Sequence, residues 1–195
     1  MIDPNDVTQP NASRAWKEEF LIFAICVAGK SAKQQAVKVD AFLKDLQRRV
    51  EADYGGPIVF TSPFHILRYA FGTNIRDSLE AVKMGQYQRI TYALLAIARM
   101  DVNSVTTEQL EHIKGIGPKT ARFFMLHTRH RQRVAVLDTH ILKYLNSQGI
   151  KAPKSTPPAG KTYARLEQEF LRLADESGMS VADFDLHLWK LKGVS

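Results

Sequence analysis

Apolar residues recur at helical spacing along most of this chain. Trp16, Phe20, Phe23, Ala24 and Val27 form one stripe, which Gly29 ends. Ser31 is placed to cap a second helix, whose apolar face uses Val37, Phe42, Leu43 and Leu46. Tyr54-Gly55-Gly56-Pro57 breaks the chain. Ser62-Pro63 reads as a cap followed by the first-turn proline of a helix through Phe71. Further helices fit 75–83, 86–100 and 107–112, the last with Glu108 in its first turn. Pro118 opens a helix through His127, and Asp138 opens another through Asn146. After a proline-containing loop at 154–160, helices fit 163–176 and 180–190, the first carrying the stripe Leu166, Phe170, Leu173. Residues 1–12, with Pro4 and Pro10, read as an irregular lead-in. A short strand at 58–60 would have no partner. The pattern predicts an all-α fold.

Composition narrows the picture. A chain of 195 residues makes one ordinary domain or two small lobes sharing a core, and 45% hydrophobic content rules out global disorder. The net charge of +7 favours polyanionic partners. The single cysteine, Cys26, sits in the apolar run 21–28 and reads as a core residue. One cysteine excludes an internal disulfide and a four-cysteine iron–sulfur cluster. The same run is too short to span a bilayer. Asp3, Asp6, Glu18 and Glu19 precede it, unlike the basic start of a signal peptide. The expected location is the cytoplasm, in association with the nucleoid. The sequon Asn11-Ala12-Ser13 therefore carries no meaning. His127 and His130 share a helical stretch, but no third ligand has metal-site spacing, so no metal is expected.

The chemistry gathers between Leu110 and Leu145. Gly115-Ile116-Gly117 separates two helices, with Ile113 and Ile116 as apolar staples and Pro118-Lys119-Thr120-Ala121 behind. Glycines here allow positive φ and close approach of a partner, and the amides at the following helix start suit one phosphate. From Lys114 to Lys143 the basic residues are Lys114, Lys119, Arg122, Arg129, Arg131, Arg133 and Lys143, against the single acid Asp138. That is a field for a DNA backbone, read without base identity. An ordinary helix–helix turn with solvated bases is the alternative. Lys119 reads as a phosphate contact or a nucleophilic amine. Asp138 follows it by 19 residues, behind the apolar run 134–137, and is at least a helix N-cap.

GIGPKTA and VAVLDTHIL together resemble the HhH-GPD superfamily of DNA base-excision glycosylases, over a span from Trp16 to Lys192. FLIFAICVAGKSAKQQAVKVDAFL and YARLEQEF…FDLHLWKLKG look like its short, cluster-free 8-oxoguanine glycosylase/lyase group. The resemblance implies a single domain over 1–195, with the helix-hairpin-helix at about 107–128. It implies two all-α lobes, with N- and C-terminal helices sharing a lobe and the active site in the cleft between lobes. Lys119 and Asp138 become the catalytic pair. Lys114, Gly115, Gly117, Arg122 and His140 become the phosphate contacts. Trp189, Phe184 and Asp185 become the base pocket, unless Trp189 merely packs. Lys30, with Ser31, becomes the wedge behind the flipped base, unless the two form only a linker. The expected partner is double-stranded DNA with a damaged base, bound by a monomer that uses no cofactor and no membrane; a monovalent cation at the hairpin is compatible with the motif.

A carboxylate beside the sugar stabilises the positive charge that base loss creates, and an unprotonated lysine amine can attack C1′. Burial or a cationic neighbour must keep that amine neutral, and Arg122 is the nearest in sequence. The group's members close on a terminal lysine that helps to recognise the base. Here the end reads Leu191-Lys192-Gly193-Val194-Ser195, with Lys192 as the substitute. The reading is a bifunctional 8-oxoguanine glycosylase and abasic-site lyase of base excision repair. Its alternatives are a glycosylase for oxidised pyrimidines or mismatched thymine or uracil, and a non-catalytic helix-hairpin-helix DNA-binding protein.

Overall fold

A computed structural model describes residues 1–191 of the chain, so the expectation for Lys192 lies outside the described residues. The described residues form ten α-helices and no strand, as the all-α pattern requires. They divide into two compact units. The first holds residues 1–4 and 12–116; the second holds 5–11 and 117–191.

The first unit is built around α1 (Arg14–Val27), whose residues Phe20 to Cys26 are all buried. A helix apolar on every side must be central, and α2 (Ala32–Asp53), α3 (Pro63–Tyr69) and α5 (Tyr87–Ile97) pack around it. α4 (Gly72–Ala81) packs on α2 and α5. Ser13 caps α1 by accepting from the Trp16 amide at 3.2 Å. Buried Glu18 is satisfied by the Phe64 amide and the Arg14 guanidinium, each at 2.9 Å. The face of α2 differs from expectation. Ala36, Val39, Phe42, Leu46 and Val50 are buried, whereas Val37 is 57% exposed. α6 (Thr107–Glu111) starts at the expected residue, where Thr106 forms a capping box with Gln109, and ends one residue short.

The second unit contains α7 (Pro118–Thr128), α8 (Thr139–Ser147), α9 (Lys161–Ser177) and α10 (Val181–Leu191). α10 packs on the other three, and Leu126, Leu137, Leu142, Tyr163, Phe170 and Phe184 lie in their common core. The expectation that N- and C-terminal helices share a lobe is corrected. α1 belongs to the first unit and α10 to the second, because α1 spends its whole apolar circumference on its own neighbours. From the N-terminal part, the lead-in 5–11 joins the C-terminal helices: the Gln9 amide donates to the His127 carbonyl at 2.8 Å, and Val7 is buried.

Cys26 is fully buried, and burial pushes its thiol up to about 12 against the weaker pull of Lys30 and Arg89. At pH 8 about one such thiol in ten thousand is ionised. A thiol-reactive disulfide reagent should therefore label the folded protein at least about 100-fold more slowly than the urea-unfolded chain. Equal rates would contradict this core.

Candidate active site

The hairpin glycines have different jobs. Gly115 has φ +100°, and a Cβ there would lie 2.8 Å from the Arg89 carbonyl oxygen and 2.9 Å from Arg89 Cγ. Arg89 itself donates to the carbonyls of Gly115 at 2.6 Å and Ile25 at 2.8 Å. Its guanidinium thus ties the turn to α1 within the first unit. Ile116 is buried and donates to the Ile113 carbonyl at 2.9 Å, tightening the turn. Gly117 has φ −97° and open space where a Cβ would go. It is exposed and caps α7 without a side chain; a helix start of this kind suits an anion. Lys114 is exposed, its amine 5.2 Å from the centre of the Tyr92 ring.

Lys119 is half-buried in the first turn of α7, just after Pro118. Asp138 caps α8: its Oδ1 accepts from the amides of His140 at 2.8 Å and Ile141 at 2.9 Å. Both cap bonds use one oxygen, so capping does not consume the other. The half-buried His140 is held by this cap through its own amide.

The run leading to Asp138 is pinned from α9. The Tyr163 hydroxyl donates to the Ala135 carbonyl at 2.7 Å and accepts from the Leu137 amide at 3.3 Å. Glu167 accepts from the Ala135 amide at 2.8 Å. The Thr156 hydroxyl donates to the Leu137 carbonyl at 2.7 Å.

Here the expectation for Arg122 is corrected. Its guanidinium pairs with Glu167 at 2.9 Å and lies over the Tyr163 ring at 4.3 Å, with 15% of the side chain exposed. It braces the pinned run rather than reaching for phosphate. Arg133 is likewise paired with Asp175, at 2.8 Å. Window counting missed both acids because they arrive from α9, far along the sequence. The basic field survives in reduced form at Lys114, Arg131 and Lys143, which are exposed.

The proposed base-pocket residues lie on α10 in different surroundings. Phe184 is a core residue, 5.3 Å from the Phe170 ring and 5.9 Å from the Tyr144 ring. That corrects its assignment, since its face of α10 is spent on packing. Trp189 is half-buried near the end of α10. Asp185 is buried, with Oδ2 3.4 Å from His127 Nε2. Burial pushes its carboxyl above the ordinary carboxylate value, His127 opposes that, Asp138 adds to it and Lys119 opposes it. Its neighbour Asp183 is exposed and only caps α10 with Ser180, so the two carboxylates do not act together.

Of the wedge pair, Lys30 is committed: its amine donates to the Met84 carbonyl at 2.6 Å, holding the α4–α5 loop. That weighs against a wedge role for Lys30. Ser31 is exposed and makes no cap bond from its side chain. No group of three or more metal-ligating side chains occurs among the described residues, and none of their helices is long and apolar enough to cross a membrane. Sequence reasoning passed over Arg89 and weighed His127 only as a metal ligand. Arg89 gave no local signal. His127 did, falling one turn after Phe124 on the buried face of α7.

A short helix, a glycine turn opening a second helix, and a capping aspartate beyond it define a helix-hairpin-helix protein with a lysine–aspartate pair. The family model described as Ogg-HhH, 8-oxoguanine DNA glycosylase, matches residues 65–179, and the chain belongs to that family. An 8-oxoguanine DNA glycosylase/AP lyase of Thermotoga sp. (strain RQ2) is 34% identical over 84 residues, 42% of this chain and 39% of that protein. The namesake of Aquifex aeolicus (strain VF5) is 33% identical over 81 residues, 41% of this chain and 34% of that protein. These matches thus span well under half the length of either relative. Among solved structures, the 8-oxoguanine glycosylase/lyase of Methanocaldococcus jannaschii, in complex with a 15mer DNA containing 8-oxoguanine, superposes with a TM-score of 0.70. Its identity is 19%, over 98% of this chain and 87% of that one. The 8-oxoguanine DNA glycosylase of Thermotoga maritima gives 0.66 at 20% identity, over 95% and 85%. At these identities the likeness is one of fold.

The two glycines predict opposite outcomes. Gly115→Ala should lower unfolding free energy by about 1–3 kcal/mol, from a strained backbone and an unavoidable clash. Gly117→Ala should stay within about 0.5 kcal/mol of the parent. Urea titration measures both, and equal losses would contradict the division of roles.

Proposed function

We propose that the chain is a bifunctional DNA glycosylase and abasic-site lyase for oxidised guanine in duplex DNA. The observation that carries this is the half-buried lysine in the first turn of α7, directly behind the glycine hairpin, followed 19 residues on by the aspartate that caps α8 through a single oxygen. Support comes from the family and from the activity of its relatives.

In this reading the α7 amides and the exposed bases hold the DNA backbone. The damaged base leaves the stack so that its sugar can reach the pair. Asp138 stabilises the positive charge on the deoxyribose with the oxygen that capping leaves over. The neutral Lys119 amine adds to C1′ as the glycosidic bond breaks, and the base leaves with the bonding pair and a proton. Opening of the sugar ring gives a cationic imine between Nζ and C1′. Loss of a C2′ proton then expels the 3′ phosphate oxygen and cuts the strand.

The test is a panel of duplexes carrying 8-oxoguanine, thymine glycol, mismatched thymine, uracil or an abasic site, read for base release and strand scission. Release from 8-oxoguanine and nicking of the abasic duplex are expected. Preference for the pyrimidine lesions would move the substrate class. Binding with neither reaction would leave a DNA-binding module.

Asp138→Asn keeps a capping side chain and removes the charge. Base excision should fall by about 100-fold or more, with DNA affinity and stability nearly unchanged. Excision at the parental rate would reduce Asp138 to a cap.

A further inference from the structure

Residues 139–166 contain five basic side chains, Lys143, Lys151, Lys154, Lys161 and Arg165, and no acid, so this stretch supplies +5 of the net +7. All five residues are exposed. Among the described residues, no carboxylate stands at ion-pair distance from any of them. The acids that bound the stretch are committed: Asp138 caps α8, and Glu167 pairs with Arg122. Several exposed cations elsewhere are balanced by contrast. Lys44 pairs with Asp40 at 2.8 Å, Arg76 with Glu80 at 2.8 Å and Arg172 with Glu169 at 3.2 Å.

The loop between α8 and α9 is stapled in place. The Asn146 side chain donates to the Ala152 carbonyl at 3.0 Å and accepts from the Ala152 amide at 3.1 Å. The Arg165 guanidinium donates to the Lys151 carbonyl at 2.7 Å. The Thr156 hydroxyl donates to the Leu137 carbonyl at 2.7 Å, and Pro157 is buried. Pro153, Pro157 and Pro158 fix φ along the way. The contact with Leu137 returns the loop to the residue before Asp138. Lys154 is two residues from Thr156, so its Cα lies within about 7 Å of that anchor. Lys143 stands five residues beyond Asp138, about 7.5 Å along the axis of α8. Unpaired cations are thus held near the aspartate on a fixed frame.

We propose that α8, the α8–α9 loop and the start of α9 form a second DNA-backbone surface, which grips phosphates of the lesion-bearing duplex about two to four nucleotides from the sugar beside Asp138. This deepens the glycosylase/lyase reading and rests on it. A strand advances about 3.4 Å per nucleotide, so cations about 7–14 Å from the aspartate meet phosphates at that remove. Each phosphate neutralised releases condensed counterions, which drives the contact. Lysine acts here as a point charge and reads no base. The frame is set before DNA arrives, so binding does not have to order the loop.

The experiment measures affinity of the intact chain for an undamaged duplex against salt concentration. The combined Lys151→Gln, Lys154→Gln and Lys161→Gln variant should flatten the slope of log affinity against log salt by about 2–3, and weaken binding about tenfold or more at low salt. Each single replacement should flatten it by about one, so the test survives should the triple variant fail to fold. A control with Lys44→Gln, Arg76→Gln and Arg172→Gln removes the same charge from balanced sites and should keep the slope within about 0.5 of the parent's. Equal flattening by both triples would reduce the effect to net charge and overturn the proposal. A second measurement places the contact. Single neutral methylphosphonate linkages are scanned through a duplex carrying a tetrahydrofuran abasic analogue, which cannot form an imine. The parent should lose about threefold or more at a linkage about two to four nucleotides from the analogue, where the patch triple should lose nothing further. Identical sensitivity of the two at every linkage would overturn the placement. No duplex binding by the parent at low salt would overturn the DNA reading itself; parental binding with an unflattened patch triple would overturn only the second surface.

Discussion

The extended run 133–137 carries backbone polar groups into the interior of the second unit, where each needs a partner. α9 supplies three of them. Tyr163 serves both the Ala135 carbonyl and the Leu137 amide, and Glu167 takes the Ala135 amide. Glu167 brings a negative charge inward, and Arg122 from α7 answers it while stacking on Tyr163. A single clasp therefore joins the helix that carries Lys119 to the run that ends in Asp138. An unpaired group at any of these points would cost about 1–3 kcal/mol. The placement of the aspartate is thus a consequence of satisfying backbone hydrogen bonds.

Asp138 shows how one side chain can cap a helix and keep an oxygen in reserve. Capping fixes the carboxylate through one oxygen, which orients it without using the other. The same economy appears at the hairpin. Gly115 is the residue the fold requires, because Arg89 fills the space a side chain would need. Gly117 is the residue a partner would require, because none of the described residues lies within 4 Å of where its Cβ would be. Behind these elements lies a buried histidine and carboxylate whose partners come from α10 and from a lead-in that has no secondary structure.

The sequence made the helices legible because their signals are local. Ser13, Ser62-Pro63 and the helical stripes depend on residues within a turn or two of each other, and α1, α3, α7 and α8 start within a residue or so of those signals. The hairpin and the 19-residue spacing from Lys119 to Asp138 are local too. Tertiary pairing was not legible. Arg122 read as a phosphate contact because Glu167 lies 45 residues away, and no window holds both. Phe184 sat in a motif that suggested a pocket, yet only the packing of α10 shows it turned into the core. The lead-in looked irregular, which it is, but irregular backbone can still bury Val7 and hold a histidine through Thr8.

The central claim is that the Lys119 amine becomes covalently joined to the DNA sugar. Reduction of the reaction with borohydride on an 8-oxoguanine duplex, followed by protease digestion and mass spectrometry of the nucleotide-bearing peptide, tests it directly. The account predicts one modified peptide, with the adduct on Lys119 and none in the Lys119→Gln variant. An adduct on another lysine, or undiminished trapping by that variant, would contradict it.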